Sequence, residues 1–449
     1  MSRSKSTSLP QPVFREPVFD EVEKTVVPSG FLVPHPSDKD LYKQIQNLLK
    51  KDVVSFEKSR IADGDFMELK DIYGAHGPDM MKQITGAGKI IFHALGDSGA
   101  TTAGAKYRHE LGVADQLTMD CHTSDKRNRP SFLFHLGDVV YDFGESQYYY
   151  DQFYDPFRNY PLPIFAVPGN HDSFVTPGTK KGEEPLTTFS RNFCASKLTI
   201  TSDAKSLHRT AMTQPGVYFT LDAPYVRIIG LFSNSLEDPG LISSQNGKWP
   251  TVPDFQLPYL TAQLKRIKQE NYQGAVLLAV HHPPFSYSPP KDGKGTGGNH
   301  GCSSDMLRQI DTICSQEKVY PHAVLSAHAH NYQRYTRTIE FNGQEIDVPF
   351  IVCGDGGHNV GHLVRGSKGH PAQEPNNGVR VDYLENKPAV TTKSLLLEKH
   401  DDTNYGYLRL TVDSKQLKIG FYQVGVATLA QSRYDLVTVD LKTHTMVAN

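Results

Sequence analysis

SFLFHLGDVVY, residues 131–141, decides the fold. An apolar run stops abruptly at Gly137–Asp138, and Tyr141 follows three residues later. A strand buried on both faces reads as a continuous run of this kind. The form recurs in KIIFHALGDSG (89–99), LPIFAVPGNHD (162–172), GAVLLAVHHPP (274–284), HAVLSAHAH (322–330) and VPFIVCGDGGHN (348–359). Helical spacing is read between them over 103–120, 145–154, 256–270 and 304–316. Strand–helix alternation predicts an α/β fold. In such sheets ligands bind beyond the carboxyl ends of the strands. Every polar cluster here follows a strand on that side, so distant residues are gathered into one place.

Composition sets the bounds. The 449 residues suffice for several domains or for one large domain with extensions. Lys+Arg 47 against Asp+Glu 49 gives a net charge of −2. That balance argues against nucleic-acid binding and offers nothing to a membrane surface. Hydrophobic content of 38% with 10% aromatic supports a sizeable core and excludes a disordered chain. The longest clean apolar run near the middle, Ala275–Val280, is far short of the ~20 residues of a membrane span. The start, MSRSKSTSLPQP, has no apolar stretch of secretory type, so a cytoplasmic location is the default expectation. A secreted or periplasmic location follows only if the sequence is a processed form. Five Cys imply no disulfide framework, and none forms a CxxC pair. Cys302 and Cys314 flank a helical stretch and read as free thiols, with a bridge as the alternative.

The strand ends carry Asp97, Asp138 with Tyr141, Asn170 with His171 and Asp172, His281 with His282, and His328 with His330. Carboxylates, imidazoles, one amide and one phenol form a mixed hard and borderline donor set that suits Fe, Mn or Zn. The ordered blocks GDSG, GDVVY, GNHD, His-x-Pro and AHAH resemble the metallophosphoesterase (calcineurin-like) superfamily, and within it the purple acid phosphatases. The resemblance spans residues 88–360. Two details select the subfamily. Ser98 and Gly99 follow Asp97, where most of the superfamily has Asp-x-His. Tyr141 stands three residues after Asp138. A phenol has a pKa of about 10, and a strongly polarising ion is needed to take its proton.

The resemblance implies a four-layer αββα sandwich: two mixed sheets flanked by helices, with an N-terminal extension. It implies two metal sites. Site one, Fe(III), takes Asp97, Tyr141, His330 and one oxygen of Asp138. Site two, a divalent Fe, Zn or Mn, takes Asn170, His281, His328 and the other oxygen of Asp138. A trivalent and a divalent ion outweigh two carboxylates, a phenolate and a hydroxide by one charge, which attracts a phosphate anion. The implied activity is hydrolysis of phosphoric monoesters by a metal-bound hydroxide at acidic pH, with His171 giving a proton to the leaving oxygen. A small phosphorylated substrate is expected; the oligomeric state is left open. His300, in GGNHGCSSDML (297–307), is a candidate second donor, and His282 and His358 are weaker ones.

The chain departs from the family pattern in AHAH for GHxH, in LAVH for VxxH, and in His358 where Asn is common. None of these removes a ligand. His93 and His135 lie inside strands and read as packed, hydrogen-bonded residues. Tyr148–Tyr150 reads as a helix face near the site, with a stacking surface as the alternative. The expected organisation is 1–86 as an extension with one helix (spacing over 38–58), 87–361 as the core, and 362–449 as a loop and β segment packing on it. A phosphodiesterase acting on a nucleotide or lipid head group is the nearest alternative function. A non-catalytic binding module that keeps the fold is the alternative from another class.

Overall fold

The computed structural model describes residues 16–19, 32, 53–102, 104–173, 184–287, 303–363, 382–385, 388–425 and 430–448. Its strands in chain order are β1 (Met67–Glu68), β2 (Lys89–Leu95), β3 (Leu133–His135), β4 (Ile164–Ala166), β5 (Phe219–Ala223), β6 (Val226–Leu231), β7 (Ala275–Val280), β8 (Ala323–Ser326), β9 (Tyr332–Phe341), β10 (Gln344–Cys353), β11 (Thr391–Asp401), β12 (Tyr405–Asp413), β13 (Gln416–Val424), β14 (Gln431–Asp440) and β15 (Thr445–Val447).

These make two mixed sheets flanked by helices. One runs β1-β5-β6-β7-β8-β10-β9-β11, the other β15-β14-β13-β12-β2-β3-β4. The parallel blocks are β2–β3–β4 and β6–β7–β8–β10. Helices Ala105–Cys121, Gln256–Gln269 and Ser304–Glu317 connect strands within these blocks. Phe134 of β3 stacks on Phe219 of β5 with ring centroids 5.7 Å apart, so the apolar faces of the two sheets meet. Gly230 of β6 lies at that seam, where a Cβ would come 2.8 Å from Val167 Cγ1. All six residues of β7 are buried. Each of its Val and Leu side chains contributes about 1.5–3 kcal/mol by leaving water.

Several details differ from the sequence reading. The segment after 362 contributes strands to both sheets. β11 joins one sheet at its edge, and β12 pairs with β2 in the middle of the other, Leu408 opposite Ala94. The exposed edge of β2 would otherwise leave a row of unpaired amides and carbonyls. β1 ties the N-terminal region into the other sheet through Leu221 and Asp222. Of the helix read over 38–58, residues 38–52 lie outside the described residues. Residues 53–58 are not helical, and Val53, Val54 and Phe56 are buried. Residues 145–154 form a short 3-10 turn, Ser146–Tyr148, and then a π-helical turn, Tyr150–Tyr154. Tyr148, Tyr149 and Tyr150 are all buried, which removes them as a stacking surface. Cys314 is a free buried thiol; Cys302 lies outside the described residues.

Candidate metal centre

The turns after β2, β3, β4, β7 and β8 converge. The backbone at four of their residues is left-handed: Asp97 (φ 55°), Asp138 (φ 56°), His328 (φ 68°) and His330 (φ 33°). Each such non-glycine residue costs on the order of 1–3 kcal/mol and persists only where surrounding structure enforces it. The glycines of the motifs are explained by close approach. A Cβ on Gly169 would lie 2.0 Å from Asp138 Oδ1, and one on Gly354 2.6 Å from Asp97 Oδ2.

Two donor clusters result. In the first, Tyr141 Oη lies 2.8 Å from Asp97 Oδ1 and 3.3 Å from His330 Nε2, and His330 Nε2 lies 3.3 Å from Asp97 Oδ1. In the second, His281 Nε2 lies 3.0 Å from Asn170 Oδ1, 3.2 Å from His328 Nδ1 and 3.4 Å from Asp138 Oδ2. Asp138 belongs to both: donor atoms of Asp97, Asp138 and His330, and those of Asp138, His281 and His328, lie within 4.8 Å of one another. Asp97, Asp138, Asn170 and His281 are fully buried.

Outer contacts fix what these groups present. His281 Nδ1–H donates to Leu136 O at 2.8 Å, and His328 Nε2–H donates to Glu237 O at 2.9 Å. The inner nitrogen of each ring therefore offers a lone pair. With both rings neutral, those two lone pairs, Asn170 Oδ1 and Asp138 Oδ2 would meet with no hydrogen among them, and Asp138 Oδ2 is buried without a hydrogen-bond partner. Acceptors gathered away from water need a positive charge between them. A metal-ligating His whose other N–H goes to a carbonyl is the usual arrangement.

The titration behaviour points the same way. Burial works against a charged His281, but the Asp138 carboxylate outweighs it and raises its pKa to about 9. Burial likewise opposes a charge on His330, and Asp97 and Asp138 still raise its pKa. Asp138 is held well below the usual carboxylate range despite burial, by the His281 and His171 rings. Burial, then the charges of Asp138 and Asp97, push the Tyr141 phenol well above its ordinary value. Only a strong positive charge at its oxygen would make it a phenolate.

Residues without motif status hold the turns. Asp172 accepts the backbone N–H groups of Val139, Val140 and Gly169 at 3.0–3.1 Å and so locks the GNHD turn to the GDVVY turn. Burial and repulsion from Asp138 raise its pKa to about 6. The Gln152 amide pairs with the Tyr141 backbone both ways, at 2.8 and 2.9 Å. The His171 backbone N–H donates to Asp138 Oδ1 at 2.9 Å, and its Nδ1–H donates to Asp142 O at 2.7 Å. Asp172 was visible as part of a block; nothing in the sequence pointed to Gln152, Leu136 O or Glu237 O.

Of the candidate donors, His300 lies outside the described residues. His282 is fully buried, bonded to Ser233 Oγ and Leu236 O at 2.7 Å each. Burial and the neighbouring His281 lower its pKa to about 3, which keeps the ring neutral, and its N–H is committed to Leu236 O.

Residues 113–332 match the family profile described as calcineurin-like phosphoesterase. The chain carries a calcineurin-like phosphoesterase domain. The matched span includes Asp138, Tyr141, Asn170, His171, His281, His328 and His330; Asp97 precedes it. That superfamily uses binuclear metal centres, and the two clusters are candidate ligand groups for one. No curated protein matches the sequence. Among solved structures, a purple acid phosphatase from seeds of yellow lupin (Lupinus luteus) is similar at 17% identity and a TM-score of 0.45; the match covers 78% of this chain and 54% of the lupin protein. PhoD is similar at 12% identity and a TM-score of 0.47, covering 80% of this chain and 71% of PhoD. A Vps29 variant from Entamoeba histolytica is similar at 11% identity and a TM-score of 0.29, covering 78% and 99%. Among the described residues no helix is long and apolar enough to cross a membrane.

Proposed function

We propose that the domain hydrolyses phosphoric monoesters with two metal ions, in the manner of a purple acid phosphatase. The observation that carries the reading is the pair of donor clusters sharing Asp138, one of them holding a buried phenol. Asp97, Tyr141, His330 and Asp138 would hold Fe(III). Asn170, His281, His328 and Asp138 would hold a divalent Fe, Zn or Mn. When bound, such a pair neutralises the phosphate oxygens, lowers the pKa of water and orients an in-line attack.

The chain's own residues do the rest. Leu136 O and Glu237 O hold His281 and His328 in the tautomers that face inward. Asp172 locks the Asn170 turn to the Asp138 turn, and Gln152 holds the backbone at Tyr141. His171 would handle the leaving group. Its Nδ1–H is committed to Asp142 O, so Nε2 is the atom that carries a proton to the departing alkoxide. The absence of His after Asp97 and the presence of Tyr141 support the monoester assignment over a diester.

The test is hydrolysis of an aryl phosphate monoester beside the matching diester, from acid to alkaline pH, with iron-, zinc- and manganese-loaded protein. Preference for the monoester at acidic pH is expected. Preference for the diester, or an optimum above neutral, would remove the monoesterase reading and leave a phosphodiesterase.

A further inference from the structure

Tyr141 is held by more than its oxygen. The imidazole of His358 lies flat on its ring, with centroids 3.6 Å apart and 16° between the planes. The His171 ring takes up a second contact, 4.2 Å away and tilted by 44°. A ring at 3.6 Å covers one face of the phenol, which leaves the other face to His171.

His358 is itself anchored. Its backbone N–H donates to Asp97 O at 2.9 Å and its Nδ1–H to Gly99 O at 2.7 Å. The preceding Gly357 threads beneath the same turn with φ +154°. A Cβ there would lie 2.7 Å from both Ser98 O and Glu110 Cβ, so the segment has no room to shift. The imidazole is a flat plate fixed to the turn that carries Asp97.

We propose that His358 is a positioning residue for Tyr141, setting the plane of the phenol so that its oxygen meets Asp97 and His330. The proposal rests on the reading of Tyr141 as a metal ligand. It assigns a task to one of the positions at which this chain departs from the resembling family, with His in place of the more common Asn.

The test compares full-length wild type, His358→Phe and His358→Ala. Phe keeps a flat ring and loses the bond to Gly99; Ala loses both. Each protein is loaded with iron(III). The visible phenolate-to-iron absorption is recorded, and iron retention is measured against a competing chelator. His358→Ala is expected to weaken retention by about 10–100-fold, the range found when groups supporting a metal ligand are removed, and to shift or bleach the band. His358→Phe is expected to keep both near wild type. If Ala behaves as wild type, or if Phe loses as much as Ala, the positioning role of the stack is wrong. Tyr141→Phe is the control on the underlying reading: if it alters neither band nor retention, Tyr141 is not a ligand and the inference falls with it.

Discussion

His322 and His444 stack at 4.5 Å, with 24° between planes, where the start of β8 meets the β14–β15 turn. The Val276 N–H donates to His322 Nδ1 at 3.0 Å, and His322 Nε2–H donates to Leu441 O at 3.2 Å. The ring is thereby held as one neutral tautomer. A second proton would enter at Nδ1 and set N–H against N–H. Burial lowers its pKa to about 4, although Leu441 O and Asp440 pull upward. His444 is also held well below its ordinary value, by burial and by His322. An unfolded His titrates near 6.5, about 2.5 units higher, and each unit is about 1.4 kcal/mol. Between those values the unfolded chain binds the extra proton, so stability falls as pH falls through the window. The ceiling is about 3 kcal/mol for His322, and partial exposure of the ring brings it nearer 2 kcal/mol. His322→Asn keeps an oxygen for the Val276 N–H and loses one neutral hydrogen bond, at about 1 kcal/mol. The variant should therefore be less stable near neutral pH and more stable below about pH 5, and the two curves should cross. Urea unfolding of both proteins, metal-free and across pH, measures this. His444 loses its repulsion from His322 in the variant while the other groups titrate alike in both, so the difference reports the His322–His444 pair. Curves that stay parallel would refute the reasoning.

His171→Ala should lower turnover by about 10²–10⁴-fold while metal content is retained, if Nε2 protonates the leaving oxygen; elemental analysis beside kinetics separates the two effects. Gly169→Ala should abolish metal retention in a chain that still folds, because the new Cβ would meet Asp138 Oδ1 at 2.0 Å; circular dichroism and metal analysis check it. Arg337→Leu should cost about 3–5 kcal/mol, since it strands the fully buried Asp311, bound by Arg337 at 2.8 and 3.0 Å. A loss under about 1 kcal/mol in urea unfolding would contradict that account of the pair.

The strands that end at the site were legible because burial on both faces makes them continuous apolar runs that stop at a turn. β9 was not, and Arg337 shows why. A fully buried arginine sits in mid-strand because Asp311 and the Tyr320 hydroxyl answer it from elsewhere in the chain. In sequence it reads as surface. Val53 and Phe56 have helical spacing with Ile45 and Leu49, but contacts 180 or more residues away override it: Asn234 Oδ1 accepts the Val54 N–H, and Thr251 Oγ1 donates to Val53 O. The donor residues were readable as types at strand ends. Their support was not, because Leu136 O and Glu237 O act through the backbone, which carries no residue signature.

The most direct test of the central claim is the metal content of the purified chain beside that of Asp138→Ala. Asp138 is the one residue shared by both clusters. The account predicts two metal ions per wild-type chain, one of them iron, and loss of both in the variant. A single ion in the wild type, or a variant that keeps its full complement, would contradict a binuclear centre built on Asp138.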